Sequence, residues 1–396
     1  MLHVTSAPDD KALSESVRRQ ADEIALPDKL AITSIFGRPF DPKIWSGAPN
    51  NVATAFERLG VETIDAFPHL TRFERSLFGV KYMLSGYGRL PTSLSLFRGA
   101  EVRALRARRL AKRLKDVDVR RVLHTGTLDL PACDTDAVDH FLYCDHTWDL
   151  WFRHRDAADP HTPKAFRIFD DYDRTCYAQM RHIFTFGTYV RDNLISHYGV
   201  APERVTAVGS GMGPIDPYFG AKTYDNHLML FVAKHLFAEK GGHLVLDAFA
   251  IAKQSRPELR LIVVWDGKDK NLPRRYPHVE FRTQLRWGAL TRLYREASLF
   301  VQPMLNDPWG QVYLEALVSR TPVLGLDRNG LPEITENGRH GFLVAEPDAR
   351  AIAAAMLDAA SDPSRLDRMG LSGQRHVLKN YSWDGVARQM AFVMAS

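Results

Sequence analysis

Residues 306–317, NDPWGQVYLEAL, set two carboxylates eight positions apart, Asp307 in a polar turn and Glu315 inside an apolar helical pattern. If 299–303 is a strand and a helix begins near Trp309 or Gly310, the NDP turn lies at the carboxyl edge of a sheet, where such folds bind ligands. The free N–H groups around Gly310 and Gln311 then form an anion site, and glycine lets a phosphate approach the backbone. Glu315 follows one to two turns later, at about 1.5 Å of rise per residue, within reach of a group attached beyond that phosphate. A carboxylate accepts hydrogen bonds from paired hydroxyls, as a ribose offers them. The spacing suits a nucleotide diphosphate carrying a sugar, with ribose at Glu315, phosphate at the helix start and sugar hydroxyls at Asp307. The plain alternative is that Asp307 caps the helix and Glu315 is one exposed charge.

The elements that position this stretch alternate. LMLFVA (228–233), LRLIVVW (259–265), LFVQP (299–303) and PVLGL (322–326) read as buried strands, and 241–254, 290–297 and 310–319 as the helices between them. This is the pattern of a parallel sheet covered by helices. The first half is noisier, with strands expected at 29–36, 119–126, 138–144 and 182–187. Between 209 and 224, GSGMGPIDPYFGAKTY gathers glycine and proline as a linker does. The fold class is therefore α/β, with two doubly wound Rossmann-like domains facing across a cleft.

Composition sets the frame. A chain of 396 residues with 45% hydrophobic and 25% charged content is long enough for two cores. No run reaches the ~18 apolar residues of a membrane span, and the N-terminal residues lack a secretion signal, so a cytoplasmic protein is expected. Cys133, Cys144 and Cys176 lack CxxC spacing, which supports neither a disulfide framework nor a cysteine zinc site, and they read as core filler. The excess of 52 basic over 47 acidic residues identifies no partner. GSGMG imitates a dinucleotide fingerprint, but Pro214 and Pro217 follow at once and oppose the helix it needs. The DTD triplet at 134–136 imitates a metal-binding motif, yet it falls in a polar loop between candidate strands. P-loop, zinc-protease and serine-hydrolase motifs are missing from the sequence.

Several ordered motifs together are similar to one family. DPWGQVYLEALVSRTPV (307–323) resembles E-G-F-G-x-x-x-x-E-A-x-x-x-G-x-P-V of the retaining GT-B fold glycosyltransferases, the large family four. Gly310, Glu315, Ala316, Pro322 and Val323 match, while Asp307 replaces the first glutamate, Trp309 the phenylalanine and Arg320 a glycine. GLPEITENGRHGFLV (330–344) and LFVAKHLFAEKGGHLVLDAF (230–249) resemble two further motifs of that family, and WSGAPNNVATAFERLGVE (45–62) its first-domain loop and helix. FTFGTYVRDNLISHYGVAPERVTAVGSG (184–211) resembles the approach to its interdomain linker.

The resemblance implies an acceptor-binding domain over 1–215, a nucleotide-sugar-binding domain over 216–378, and a helix at 379–396 packing back toward the first domain. It implies a retaining hexosyltransferase that moves a sugar from a UDP or GDP sugar to a glycan or lipid-linked acceptor, in polysaccharide or glycolipid synthesis. A noncatalytic nucleotide-sugar-binding protein on the same fold is the alternative. Lys240, with Lys234 or His235, is expected to neutralise the donor pyrophosphate. Glu315 is expected to hold the ribose, Asp307 to contact the donor sugar, and Trp309, Gly310 and Gln311 to line the donor site. Ser46 and Gly47 should border the diphosphate from the first domain. His146, after an apolar strand, is expected beside the transferred sugar, with Asp145 and His124 on the acceptor side. Lysines and helix N–H groups supply the positive charge in such a site, so no metal and no cofactor are expected.

One further segment concerns the acceptor. Residues 98–121 carry ten basic and three acidic side chains, and Val102, Leu105, Leu110 and Leu114 gather on one side of a helix. Such a helix can lie on an anionic membrane surface, at the inner face of a plasma membrane, and present a lipid-linked acceptor. Alternatively, its leucines pack on the domain's own sheet. A nucleic-acid partner is not expected, because the basic run holds no stacking aromatics.

Overall fold

The computed structural model describes residues 26–86, 96–126, 137–154, 161–306 and 308–395. Asp307 and the DTD triplet lie outside them. The first sheet joins β1 (Lys29–Ser34), β2 (Glu62–Asp65), β3 (Arg121–Thr125), β4 (Asp139–Cys144), β5 (His182–Thr185) and β6 (Val205–Ala207) in the order β2-β1-β3-β4-β5-β6. The second joins β7 (Leu228–Ala233), β8 (Arg260–Trp265), β9 (Glu280–Thr283), β10 (Leu299–Val301), β11 (Val323–Leu326) and β12 (Gly341–Val344) in the order β12-β11-β10-β7-β8-β9. Every pairing is parallel. β7 is buried along its whole length, because helices cover both faces of a parallel sheet.

The helices that matter to the site follow particular strands. In chain order they are α1 (Ala48–Arg58), α2 (Arg72–Leu84), α3 (Ala100–Asp116), α4 (Trp148–Arg153), α5 (Pro163–Gln179), α6 (Thr188–Ser196), α7 (Gly242–Ser255), α8 (Leu272–Arg275), α9 (Trp287–Glu296), α10 (Gln311–Val318), α11 (Leu331–Ile334), α12 (Ala349–Ser361), α13 (Pro363–Asn380) and α14 (Trp383–Ala395). α14 lies against α1: Val52 and Phe56 share one apolar cluster with Val386, Met390 and Met394, and Arg58 pairs with Asp384 at 2.8 Å. That cluster also holds Leu30 of β1 and Leu230 of β7.

The linker is gripped by three indoles. Trp309 Nε1 donates to Ser210 Oγ at 2.7 Å, Trp383 Nε1 to the Met212 carbonyl at 2.9 Å, and Trp287 Nε1 to the Pro214 carbonyl at 2.8 Å. The glycines of GSGMG serve this contact. A Cβ on Gly211 would stand 2.3 Å from the Trp383 ring, and one on Gly213 2.4 Å from Glu315 Oε1. Cys144 and Cys176 are both buried in one apolar cluster of the first domain.

The 98–121 reading is corrected by what α3 buries. Val102, Leu110 and Leu114 are in the domain's own clusters and Leu105 packs against one of them, so the apolar side is not available to a membrane. Two of the arginines also turn inward, Arg103 at 1% and Arg106 at 0% exposure. Arg106 donates to the Ser34 carbonyl and lies 4.7 Å from the Phe97 ring centre. Arg109 forms a two-point pair with Glu74 of α2. Among the described residues no helix is long and apolar enough to cross a membrane.

Candidate active site

In the second sheet the strand order reverses between β7 and β10, the position at which doubly wound sheets open a crevice. The loops leaving these two strands are joined there. Met304 N donates to the Lys240 carbonyl at 3.3 Å and Asn306 N to the Glu239 carbonyl at 3.0 Å. Gly241, left-handed at φ +83, permits the approach, since a Cβ would lie 2.9 Å from Pro303. The lysine loop and the segment Met304–Asn306, 66 residues apart in sequence between Lys240 and Asn306, thus form one wall.

α10 starts from Gly310, which is left-handed at φ 74 and carries no side-chain cap, so the N–H groups of the first turn stay open to a ligand. Gln311 Nε2 is shielded from solvent without a hydrogen-bond partner. Glu315 is 7% exposed and accepts from the Tyr294 hydroxyl at 3.0 Å. Burial pushes its carboxyl up to about 7, against the opposing pull of the Tyr294 hydrogen bond and of the Lys240 and Lys234 charges. A buried carboxyl shifted this way beside two cations is a candidate functional position. Lys234 and His235 are exposed, and Lys234 Nζ stands 5.4 Å from the Trp287 ring centre.

The first domain contributes residues from the ends of its strands. Trp45, Ser46 and Gly47 all have positive φ, at 46, 54 and 81, immediately before α1. For Trp45 and Ser46, unlike Gly47, backbone held in that region is stored strain, which clusters at ligand sites. Trp45 Nε1 donates to Asp145 Oδ2 at 3.1 Å. Tyr189 OH is 2.7 Å from the Asp145 carbonyl and 2.9 Å from the Pro308 carbonyl, so one hydroxyl joins the Asp145–His146 turn to the turn that precedes α10. His146 follows β4, as its apolar run predicts. Both of its ring nitrogens are shielded and unpartnered, and burial holds it down to about 3, so the imidazole is neutral.

Two expected residues are buried. His124 is buried inside the first domain, its Nε2 3.0 Å from His140 Nδ1, with its pKa lowered by burial and by the neighbouring His140 and Arg106 charges. The Trp309 side chain packs as a wedge between the domains' loops. It is 3% exposed, meets Phe186 edge-on, and fills space that a Cβ on Gly187 or Gly330 would take. Asp307 lies outside the described residues. Trp45, Tyr189 and Tyr294 were not singled out from sequence. Trp45 and Tyr189 lie within family-like motifs and Tyr294 within the helix expected at 290–297, and only tertiary contact distinguishes them from core.

Residues 219–376 match the family described as glycosyl transferases group 1. The D-inositol 3-phosphate glycosyltransferase of Streptomyces avermitilis is 30% identical over 227 residues, 51% of this chain and 49% of that one. The alpha-maltose-1-phosphate synthase of Mycolicibacterium smegmatis is 25% identical over 57% of this chain and 65% of its own. The chain thus spans about half the length of the Streptomyces relative it matches. Among solved structures, a sucrose-phosphate synthase from Thermosynechococcus elongatus superposes with TM-score 0.66 at 14% identity over 92% of this chain and 97% of that one. A structure of Anabaena HepE in complex with UDP and glucose gives 0.60 at 13%, over 92% and 99%. The fold is that of the GT-B glycosyltransferase structures, and residues 219–376 are similar to glycosyl transferases group 1.

Proposed function

We propose that this protein is a retaining glycosyltransferase that moves a sugar from a UDP or GDP sugar to a glycan or lipid-linked acceptor. The observation that carries the reading is the buried Glu315 carboxyl behind an uncapped helix start, with the Lys240 and Lys234 charges acting on it. The ribose diol meets Glu315, the pyrophosphate meets the N–H groups at Gly310 and Gln311, and Lys240 with Lys234 or His235 balances the charge that grows on the leaving diphosphate. Asp307, taking the family glutamate's place, orients the transferred sugar. His146, neutral and without a partner, offers a hydrogen bond to a sugar hydroxyl from the first-domain side. Retention follows if the departing phosphate oxygen helps to take the acceptor proton on the same face, so no dedicated base is required.

The test is a panel of UDP and GDP sugars, read by thermal stabilisation and by release of nucleoside diphosphate. A donor that stabilises the chain and is turned over supports the reading. A donor that stabilises it with no turnover for any acceptor class favours a binding protein instead, and no stabilisation by any of them overturns the proposal.

A further inference from the structure

Apart from the donor site, Glu336, His340 and His376 each bring one ligand atom to within 4.8 Å of the others. Glu336 follows α11 in a tight reversal, with Glu336, Asn337 and Gly338 all at positive φ, that returns the chain to His340 at the start of β12. His376 comes from α13. Glu336 Oε2 lies 3.1 Å from His340 Nε2, and Glu336 Oε1 lies 3.1 Å from His376 Nδ1.

The surrounding hydrogen bonds say which of these atoms carry protons. Ser372 Oγ donates to the Met369 carbonyl, so it accepts from His340 Nδ1 at 2.9 Å. The proton of a neutral His340 is then on Nδ1, and the Nε2 lone pair faces the carboxylate. Asn380 Nδ2 donates to the His376 carbonyl at 3.0 Å, which fixes the amide's orientation and sets the same NH2 group 3.0 Å from His376 Nδ1. His376 Nδ1 is therefore an acceptor as well. With both histidines neutral, two unprotonated imidazole nitrogens stand 3.1 Å from an ionised carboxylate, a contact that a proton or a metal ion between them relieves, and an ion would take the His376 Nδ1 lone pair from the Asn380 amide.

We propose that Glu336, His340 and His376 bind one divalent transition ion of the zinc class. Two imidazoles and one carboxylate are a mixed N/O set that zinc, cobalt and nickel accept, whereas magnesium and calcium prefer all-oxygen shells. Ligand atoms about 2.0–2.1 Å from a tetrahedral ion stand roughly 3.3 Å from one another; each histidine nitrogen is 3.1 Å from a Glu336 oxygen, and one ligand atom from each of the three residues lies within 4.8 Å of the others. His340 and His376 are 3% and 11% exposed and Glu336 is 40% exposed, so water completes the shell from the Glu336 side. Arg339 Nη1, 3.0 Å from Glu336 Oε2 and 73% exposed, is free to swing into solvent when the ion arrives. The ion would staple the turn before β12 to α13. The His376 ring is 5.6 Å from Tyr381, and Tyr381 is 6.1 Å from Trp309, so the staple lies beside the point where the chain leaves the second domain for α14.

The full chain, stripped by chelator and desalted, is titrated with zinc by calorimetry and with cobalt by visible absorption. One equivalent per chain, a tetrahedral cobalt spectrum and a raised unfolding midpoint are expected, with none of these from magnesium. Glu336→Gln and His376→Gln should each weaken zinc binding at least tenfold while leaving far-UV circular dichroism unchanged. Failure to saturate at one equivalent, or unchanged affinity in Glu336→Gln, overturns the proposal. Should His376→Gln not fold, Glu336→Gln decides alone, because its side chain is on the solvent side. Nucleotide-sugar turnover is a separate readout, so this result and the donor assignment stand or fall independently.

Discussion

The Tyr294 hydroxyl donates to Glu315 Oε2 across 3.0 Å, and it is the only hydrogen bond of that buried carboxyl among the described residues. The bond orients Glu315 from below and leaves Oε1 toward Gly213, where a Cβ would collide with it. Glu315→Ala should therefore weaken nucleotide binding by about one to two decades, since a hydrogen bond to a charged group is worth roughly 1.5–3 kcal/mol. Tyr294→Phe should weaken it less. Calorimetric titration with UDP and GDP measures both, and unchanged affinity in Glu315→Ala would remove the ribose assignment.

The raised pKa of Glu315 has a sign that can be checked. Its folded value of about 7 stands above the ordinary 4.5, so the folded chain holds a proton that the unfolded chain has lost between those limits. The resulting stability is fully present below pH 4.5 and is lost as pH rises through 7, on the order of 3 kcal/mol in all. Glu315→Gln abolishes this titration. Denaturant melts of the two proteins at pH 5 and pH 8 should show the parent losing more stability than Glu315→Gln over that interval. Nucleotide affinity should run the other way, rising as the carboxyl ionises.

How much of this was legible depended on burial. The strands read from apolar runs are central or flanked ones, and β7 falls on the residues expected for it. The four strands that the apolar runs did not disclose, β2, β6, β9 and β12, are the edges of the two sheets. β2 and β9, ETID and EFRT, contain no fully buried residue, so they carry no apolar signal. The placement of Glu315 in a helix and of Lys240 in a glycine turn was readable because helix starts and glycine turns have local signatures. Tyr189 was not, since its role is set by two carbonyls 44 and 119 residues away. The packing of the Trp309 ring between Gly187 and Gly330 was not readable, since those glycines lie 122 and 21 residues away in sequence.

Asp307 is one methylene shorter than the glutamate its position resembles. If it orients the transferred sugar, Asp307→Ala should lower kcat by about one to two decades with a smaller change in donor Kd. Asp307→Glu restores the longer side chain and should retain most of the rate. Equal turnover in the parent and both variants would reduce Asp307 to a helix cap.

Donor turnover should survive EDTA, because Lys240, Lys234 and the N–H groups before α10 carry the charge a metal otherwise supplies. Treatment should lower the unfolding midpoint, through Glu336, His340 and His376, without lowering kcat. A strict requirement for manganese or magnesium, restored on addition, would contradict the metal-free donor site.

Arg106 gives the sharpest statement about α3. With its guanidinium against the Phe97 and Phe67 rings and donating to the Ser34 carbonyl, it is a structural cation inside the first domain. Arg106→Ala should cost about 2–3 kcal/mol through lost packing and a lost charged hydrogen bond. Arg108→Glu and Lys112→Glu, on the exposed side, should leave stability within about 0.5 kcal/mol. The same burial fixes what vesicle sedimentation should find. With Val102, Leu110 and Leu114 packed on their own domain, any attachment through α3 is electrostatic alone. Binding to anionic vesicles through this helix should then vanish in high salt and in the Arg108→Glu, Lys112→Glu double variant. Binding that persists in high salt yet is lost in that double variant would mean that apolar side chains of α3 leave the domain to meet lipid, and the packing described for α3 would have to give way on the membrane.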